Sequence, residues 1–241
     1  MKRTIMLKNW LATFKLQFKI ALKEKIVFFY TLVIPIIIVF LNNQSDFKDV
    51  GVLYIYWSYI VVTSILNGFM SSIVQLRENG SLKTLTYMVG SKSTIITASV
   101  FVQMIIIQVE ILIFNLVVNF MVIQIPLMTY VYGILMTFIT TIFATVTLSV
   151  MFLFKVKQGT FNVLINIFLL LGIGLLGFRP GGIWNYLFTL INPFQFVLAL
   201  YSMPKNSILL NYLVMGFAVI YLGMGYWNLH NISIKSQLSR V

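Results

Sequence analysis

The chain has 241 residues, 60% of them hydrophobic and 9% charged, with a mean hydropathy of +0.97, against about 45–50% apolar and about 25% charged in soluble domains. Apolar runs of that density exceed what one compact core can hide, so lipid is the expected solvent for most of the chain. A net charge of +12 with no Cys, one His and five carboxylates excludes disulfides and thiolate chemistry and leaves little for a catalytic or metal constellation. The cations punctuate apolar runs instead of gathering on one water-facing surface with exposed aromatics, which argues against nucleic acid as a partner.

Residues 1–25 come first and are cationic. Leu7, Trp10, Leu11, Phe14, Phe18, Ala21 and Leu22 share one helical arc, and Lys8, Lys15, Lys19 and Lys23 occupy the adjoining one. This predicts an amphipathic helix on a membrane surface, with Trp10, Phe14 and Phe18 in the apolar layer and Lys15 and Lys19 toward anionic lipid headgroups. The stretch has no compact apolar core before a small-residue site, so no cleavable signal peptide is expected. Residues 26–241 then read as one membrane domain with six apolar spans, at about 26–41, 51–76, 94–119, 127–154, 160–178 and 207–229. The runs are continuously apolar and lack the alternation of barrel strands, so the expected class is all-α and polytopic.

Pro35 inside the first span predicts a kink or an earlier helix start. Between the fifth and sixth spans the segment is broken by Pro180, Gly181 and Gly182 and again at Asn192-Pro193. Asn192 as N-cap with Pro193 at the first helical position predicts two short helices, near 183–191 and 193–202. Trp184, Tyr186 and Tyr201 suit the outer interface of such a broken hairpin. Of the 17 Lys and Arg, only Lys48, Arg179 and Lys205 fall on that outer side. The others lie in residues 1–25, at Arg77, Lys83 and Lys92, at Lys155 and Lys157, and at Lys235 and Arg240, which puts both termini in the cytoplasm.

Glu110 is the only acid within a span, and Ser99 and Gln103 share its helical face. A carboxylate near the bilayer middle costs about 2.5–3.5 kcal/mol on insertion scales, so Glu110 is expected to face protein or water. It reads either as a site for a cationic group of cargo or a gating contact, or as a neutral acid hydrogen-bonded to a neighbouring helix. Tyr56, Tyr59, Thr63, Asn67 and Ser71 lie near one face of the second span, and Asn162 and Asn166 are one turn apart in the fifth. Hydrogen bonding across helices is one role open to them. Thr137, Thr141, Thr145 and Ser149 recur every four residues, which favours close helix packing. Gly172, Gly174 and Gly177 read as a bend or as close packing. The fragment Gly90-Ser91-Lys92-Ser93-Thr94 is no phosphate loop, because Lys does not follow Gly directly and Leu85 stands where the leading Gly is required.

This order of parts, with the loop Arg-Glu-Asn-Gly-Ser-Leu-Lys-Thr-Leu at 77–85, resembles the ABC-2 type permeases, the membrane subunits of ATP-driven exporters. The resemblance covers nearly the whole chain in layout, and the 77–85 loop is its sharpest motif, with Lys83 where the family pattern has a second acidic residue. It implies a non-catalytic permease whose amphipathic helix and loop, through Arg77, Glu78, Gly80, Ser81 and Lys83, face a separate cytoplasmic ATPase that binds ATP and Mg. It implies a second permease copy, identical or paralogous, and a pathway lined by Tyr56, Tyr59, Thr63, Asn67, Asn162 and Asn166, to which Glu110 is added as a candidate. The small size without a large outer domain is similar to bacterial exporters of amphipathic peptides or toxins, such as the phenol-soluble modulin transporters, which places the chain in a bacterial plasma membrane. Two other classes stay open. A secondary transporter should show repeated halves and an intramembrane ion site, and a stand-alone immunity or sensor protein could use the same spans. A membrane enzyme is less favoured, since Asp46 and Asp49 form one sparse pair and His230 stands alone.

Overall fold

A computed structural model describes residues 2–23, 25–41, 50–154, 156–175 and 182–233. Lys48, Asp46, Asp49, Lys155, Gly177, Arg179, Pro180, Gly181, Lys235 and Arg240 lie outside the described residues, as do the side chains of Lys2, Arg3, Leu7, Lys8 and Lys25. Every regular element among the described residues is helical: α1 (Lys2–Ala21), α2 (Lys25–Leu41), α3 (Gly51–Ser64), a π-helical segment (Ile65–Met70), α4 (Ser71–Glu78), α5 (Ser81–Val89), α6 (Lys92–Met121), α7 (Leu127–Leu148), a 3-10 turn (Ser149–Leu153), α8 (Gln158–Gly174), α9 (Ile183–Ile191), α10 (Pro193–Tyr201), a second 3-10 turn (Met203–Lys205) and α11 (Ile208–His230).

Four of these stretches are long and apolar enough to cross a membrane: Gly51–Glu78, Lys92–Met121, Leu127–Leu153 and Ile208–His230. The expectation of six spans is therefore met only in part. Helices α2 and α8 have 17 residues each and reach about 26 Å, short of a hydrocarbon core of about 30 Å. Pro35 sits inside α2. Helices α9 and α10 would pass as one span but are bent by 101° at their junction. There Asn192 accepts a hydrogen bond from the Phe194 amide and Pro193 occupies the first helical position, the geometry its side-chain chemistry favours.

The central column is α3, the π segment and α4, in which Leu53, Trp57, Ile60, Val61, Val62, Ile65, Leu66 and Met70 are fully buried. Helices α2, α6, α7, α8 and α10 close around it and share one apolar core. A smaller core joins α9 and α10 to α11 through Leu190, Phe196, Leu200 and Val214. Helix α11 is peripheral, with 17% of its apolar window buried, and Tyr212, Val219 and Tyr226 point outward. Where it meets α7 the backbones approach closely. A Cβ at Gly225 would lie 2.3 Å from Val146 Cβ, and Asn228 donates to Ser149 Oγ at 3.3 Å. Thr137, Thr141, Thr145 and Ser149 are all buried. The three threonines return their hydroxyls to the carbonyl four residues earlier, which leaves that stripe narrow enough for helix packing.

Tyr201 corrects an expectation. It is fully buried rather than at an outer interface, because the 101° bend turns α10 inward against α3 and α7. Trp184 does remain exposed and Tyr186 is half-buried. Helix α1 docks along α6 with Thr13 and Gln17 buried, while Leu11 and Leu22 of its apolar arc stay exposed. Trp10, Phe14 and Phe18 form a stacked ladder with centroids 5.4 and 6.1 Å apart, and Trp10 meets Phe101 of α6 edge-on. Lys15 and Lys19 are exposed.

The turn between α4 and α5 rests on Gly80, whose φ is +71° and where an added Cβ would meet nothing within 4 Å. Space is no obstacle there, so any side chain is opposed only by the left-handed backbone. Gly80→Ala is expected to destabilise by about 1–2 kcal/mol, and Gly80→Asn by less, since Asn tolerates that region. Thermal midpoints of the three proteins in one detergent check it, and equal midpoints would contradict the strain argument.

Candidate functional site

Three polar arrangements stand out in an otherwise apolar molecule. The first surrounds Glu110, which is 1% exposed in the middle of α6. Thr31 Oγ1 of α2 donates to Glu110 Oε1 at 2.6 Å, and Ser64 Oγ, the last residue of α3, donates to Oε2. One carboxyl thus ties three helices together, and each hydroxyl offers the partner that a buried acid requires. Sequence reasoning singled out Glu110 but missed both partners. No sequence signal marked them, since they lie 79 and 46 residues away on other helices.

A cavity of about 460 Å³ opens beside this acid, between the end of α1, the start of α2, and α6. Its polar members are Gln103 and Glu110, and Gly68 of the π segment borders it. A Cβ at Gly68 would meet the Gln103 amide at 2.5 Å, so a side chain there would displace that flexible amide. Ser99 and Gln103 are buried on the same face of α6 as Glu110. Beyond Gln103 the wall continues into a space of about 10 Å³ bounded by Gln17, Ser72 and Ser99. Gln17 Nε2 is buried there with no hydrogen-bond partner, and the space is near the lower size limit for one water.

The π segment changes how the second span presents its polar residues. An extra residue in a helical turn rotates everything after it by about 100°. Tyr56, before the insertion, is buried against Phe114 of α6 at 5.4 Å, and Thr63 is also buried. Tyr59 and Asn67 are half-buried. Ser71, after the insertion, turns to α8 and donates to Asn162 Oδ1 at 3.0 Å. Asn162 and Asn166 are exposed on α8. The face read from the sequence as continuous is therefore divided between α6 and α8.

The second arrangement is the corner at the end of α4. Arg77 is 2% exposed and its Nη2 donates to the Val156 carbonyl at 2.8 Å, while Glu78 is buried beside it. Both side chains are buried, and Arg77 holds the corner to the segment before α8. Gly80 and Gly90, with φ of +71° and +82°, bound α5, a short helix that packs against α4, α6 and α1 with Leu82 buried. Ser81 is half-buried at its start, whereas Lys83, Thr84, Tyr87 and Met88 are exposed. Tyr87 and Met88 expose 74% and 75% of their surface. Next to this corner Lys92 Nζ donates to the carbonyls of His230 and Ile232, satisfying the end of α11 as a cation does best at a helix C-terminus. Lys92 is thus used structurally.

The third is an aromatic brace that sequence reasoning did not foresee. Trp57 Nε1 donates to Asn115 Oδ1 at 2.8 Å, and the Trp57 ring lies 5.3 Å from Tyr54 and 5.4 Å from Tyr201. The Tyr201 hydroxyl is bonded to Thr137 and Thr140, and Tyr132 donates to the Tyr201 carbonyl. Every polar atom named in it is satisfied within the protein, which marks it as structural. No group of three or more His, Cys, Asp or Glu able to hold a metal occurs among the described residues. No protein-family model, curated protein or solved structure matches the chain.

Proposed function

We propose that the chain is the membrane-spanning permease subunit of an ATP-driven exporter of the ABC-2 type, paired with a second permease copy and a separate cytoplasmic ATPase, in a bacterial plasma membrane. The observation that carries this reading is the α4–α5 corner. It combines a buried anchor at Arg77 with a short helix packed against α4, α6 and α1, whose outer face bears Lys83, Tyr87 and Met88. An exposed aromatic and a methionine beside a cation, on a helix packed against its neighbours, form a contact through which a moving partner can displace the helices behind it. The Lys and Arg distribution supports a cytoplasmic side for this corner, where an ATPase works. The exposed Asn162 and Asn166 on α8 give the second copy a polar contact on an apolar surface. Amphipathic cargo, a peptide above all, agrees with a chain rich in Phe and Met and poor in charge.

Isolation of the tagged chain from native membranes in mild detergent tests the proposal. Recovery of a phosphate-loop ATPase at fixed stoichiometry supports it. Recovery of the chain alone, where a control transporter stays intact, overturns it in favour of a secondary transporter or a stand-alone immunity or sensor protein. Tyr87→Asp combined with Met88→Asp is expected to reduce the recovered ATPase at least tenfold with an unchanged thermal midpoint, because both side chains are largely exposed. Undiminished recovery would remove α5 from the interface.

A further inference from the structure

Helix α1 presents different chemistries on opposite faces. Thr13 and Gln17, each 3% exposed, sit on the side docked along α6, where Gln17 borders Ser99 and Gln103. Around the helix Lys19 stands about 200° from Gln17, and Lys15, Lys19 and Lys23 follow one another at four-residue spacing along about 12 Å. All three lysines are exposed. Leu22 and Lys23 continue the helical turn through amides that donate to the Phe18 and Ile20 carbonyls. Leu11 and Leu22 flank the lysine stripe on one side and Leu16 on the other, and each is exposed. Cations between exposed leucines suit a helix lying where hydrocarbon meets headgroups.

We propose that this stripe binds the phosphate headgroups of anionic phospholipids, and that those lipids clamp α1 onto α6 and α5. The charge balance of the chain requires a counterion from outside it. Seventeen Lys and Arg share five acids, and two of these, Glu78 and Glu110, are buried in the protein. Pairing of all three remaining acids would still leave most of the cations uncompensated. Helix α1 itself holds no acid, so lysines four residues apart repel one another until an anion bridges them. The docked face is also incomplete, since Gln17 Nε2 is buried without a hydrogen-bond partner, which weakens the hold from the protein side. Phosphates on the far side supply attraction where the protein supplies little. Because α1 also touches α5, the same lipids brace the α4–α5 corner, and the charge of the leaflet becomes a control on that corner. The source is a bilayer rather than free phosphate, because the flanking leucines take acyl chains beside them.

The test measures amide hydrogen exchange of the isolated full chain in nanodiscs of phosphatidylcholine, with and without phosphatidylglycerol, at one ionic strength. Residues 2–21 should exchange about tenfold slower or more in the anionic discs, since each lysine at an anionic surface contributes about fivefold, and residues 81–89 should slow with them. Changing Lys15, Lys19 and Lys23 together to Gln should remove this dependence, whereas changing the same three to Arg should keep it. Lys205→Gln, exposed before α11, should also keep it. Glycerol phosphate added to the phosphatidylcholine discs should leave α1 exchange unchanged. Should the Gln variant fail to fold, judged by its thermal midpoint in detergent, the lipid comparison and the Arg variant decide alone. Equal exchange in the two discs, slowing that survives the Gln variant, its loss in the Arg variant, or an equal loss in Lys205→Gln would overturn the proposal. Protection by glycerol phosphate would overturn the bilayer as the source, and slowing confined to α1 would overturn the link to α5. Because no ATPase takes part, failure here leaves the exporter proposal standing, and failure of the copurification leaves the lipid clamp standing.

Discussion

Trp57→Ala is expected to be the most damaging single substitution in the brace, costing about 3–5 kcal/mol, the usual range for truncating a fully buried Trp. The side chain is completely buried and connects four helices, reaching Asn115 of α6, Tyr201 of α10, and Gly133 of α7 from its own place on α3. A Cβ at Gly133 would already lie 3.0 Å from the indole, so the helices have closed on the ring and would leave a void if it were removed. The loss is one of packing and of one hydrogen bond, and both persist in lipid or detergent, where apolar transfer contributes little. Trp57→Phe keeps much of the volume but strands Asn115 Oδ1, at a cost of about 1–3 kcal/mol. Gel-filtration recovery of monodisperse protein after heating ranks the variants as wild type, Phe, Ala. Equal recovery of Ala and wild type would show that the brace does not hold α10 in place.

Arg77→Ala is the second large effect, and it separates a positioning role from a contact role. Truncating a buried, hydrogen-bonded guanidinium costs about 1–3 kcal/mol, because its buried acceptor is left unsatisfied. Here Glu78 lies beside Arg77 in the interior and the Val156 carbonyl loses its donor. The α4–α5 corner should loosen and the folded yield should fall. Arg77→Lys keeps the charge and one donor and should recover part of the loss, though it lacks the planar reach of the guanidinium. Limited proteolysis between α4 and α6 reads this directly. Cleavage should be fast in the Ala variant, slower in Lys and slowest in wild type. A wild-type cleavage rate in Arg77→Ala would mean that Arg77 works at a surface, in contradiction to its burial.

Several features were readable along single helices. Continuous apolar runs place long helices at Gly51–Glu78, Lys92–Met121, Leu127–Leu153 and Ile208–His230, and Asn192-Pro193 marks a helix start through a capping geometry that involves only neighbours in sequence. The demand of Glu110 for partners was readable too, because a buried carboxyl must be bonded wherever it sits. The charged motif at 77–85 was visible as a motif. Its division into a buried pair, Arg77 and Glu78, and an exposed set, Lys83, Tyr87 and Met88, was not, since Gly80 and Gly90 redirect the chain in three dimensions.

Helical class, the places of the long helices and the break before Pro193 were thus determined by the sequence alone, through periodicity and local backbone chemistry. The tertiary structure alone decided which faces meet: Thr31 and Ser64 at Glu110, Trp57 at Asn115, Tyr201 turned inward, and a polar face divided by the π segment between α6 and α8. The reason is the solvent. In water a hydrophobic stripe points to the core, but in a bilayer an Ile or Phe is as well accommodated by lipid as by protein, so hydropathy does not distinguish the two sides of a helix. Orientation is then set by close packing at Gly133, Gly172 and Gly225 and by a few directional hydrogen bonds, whose partners lie tens of residues apart.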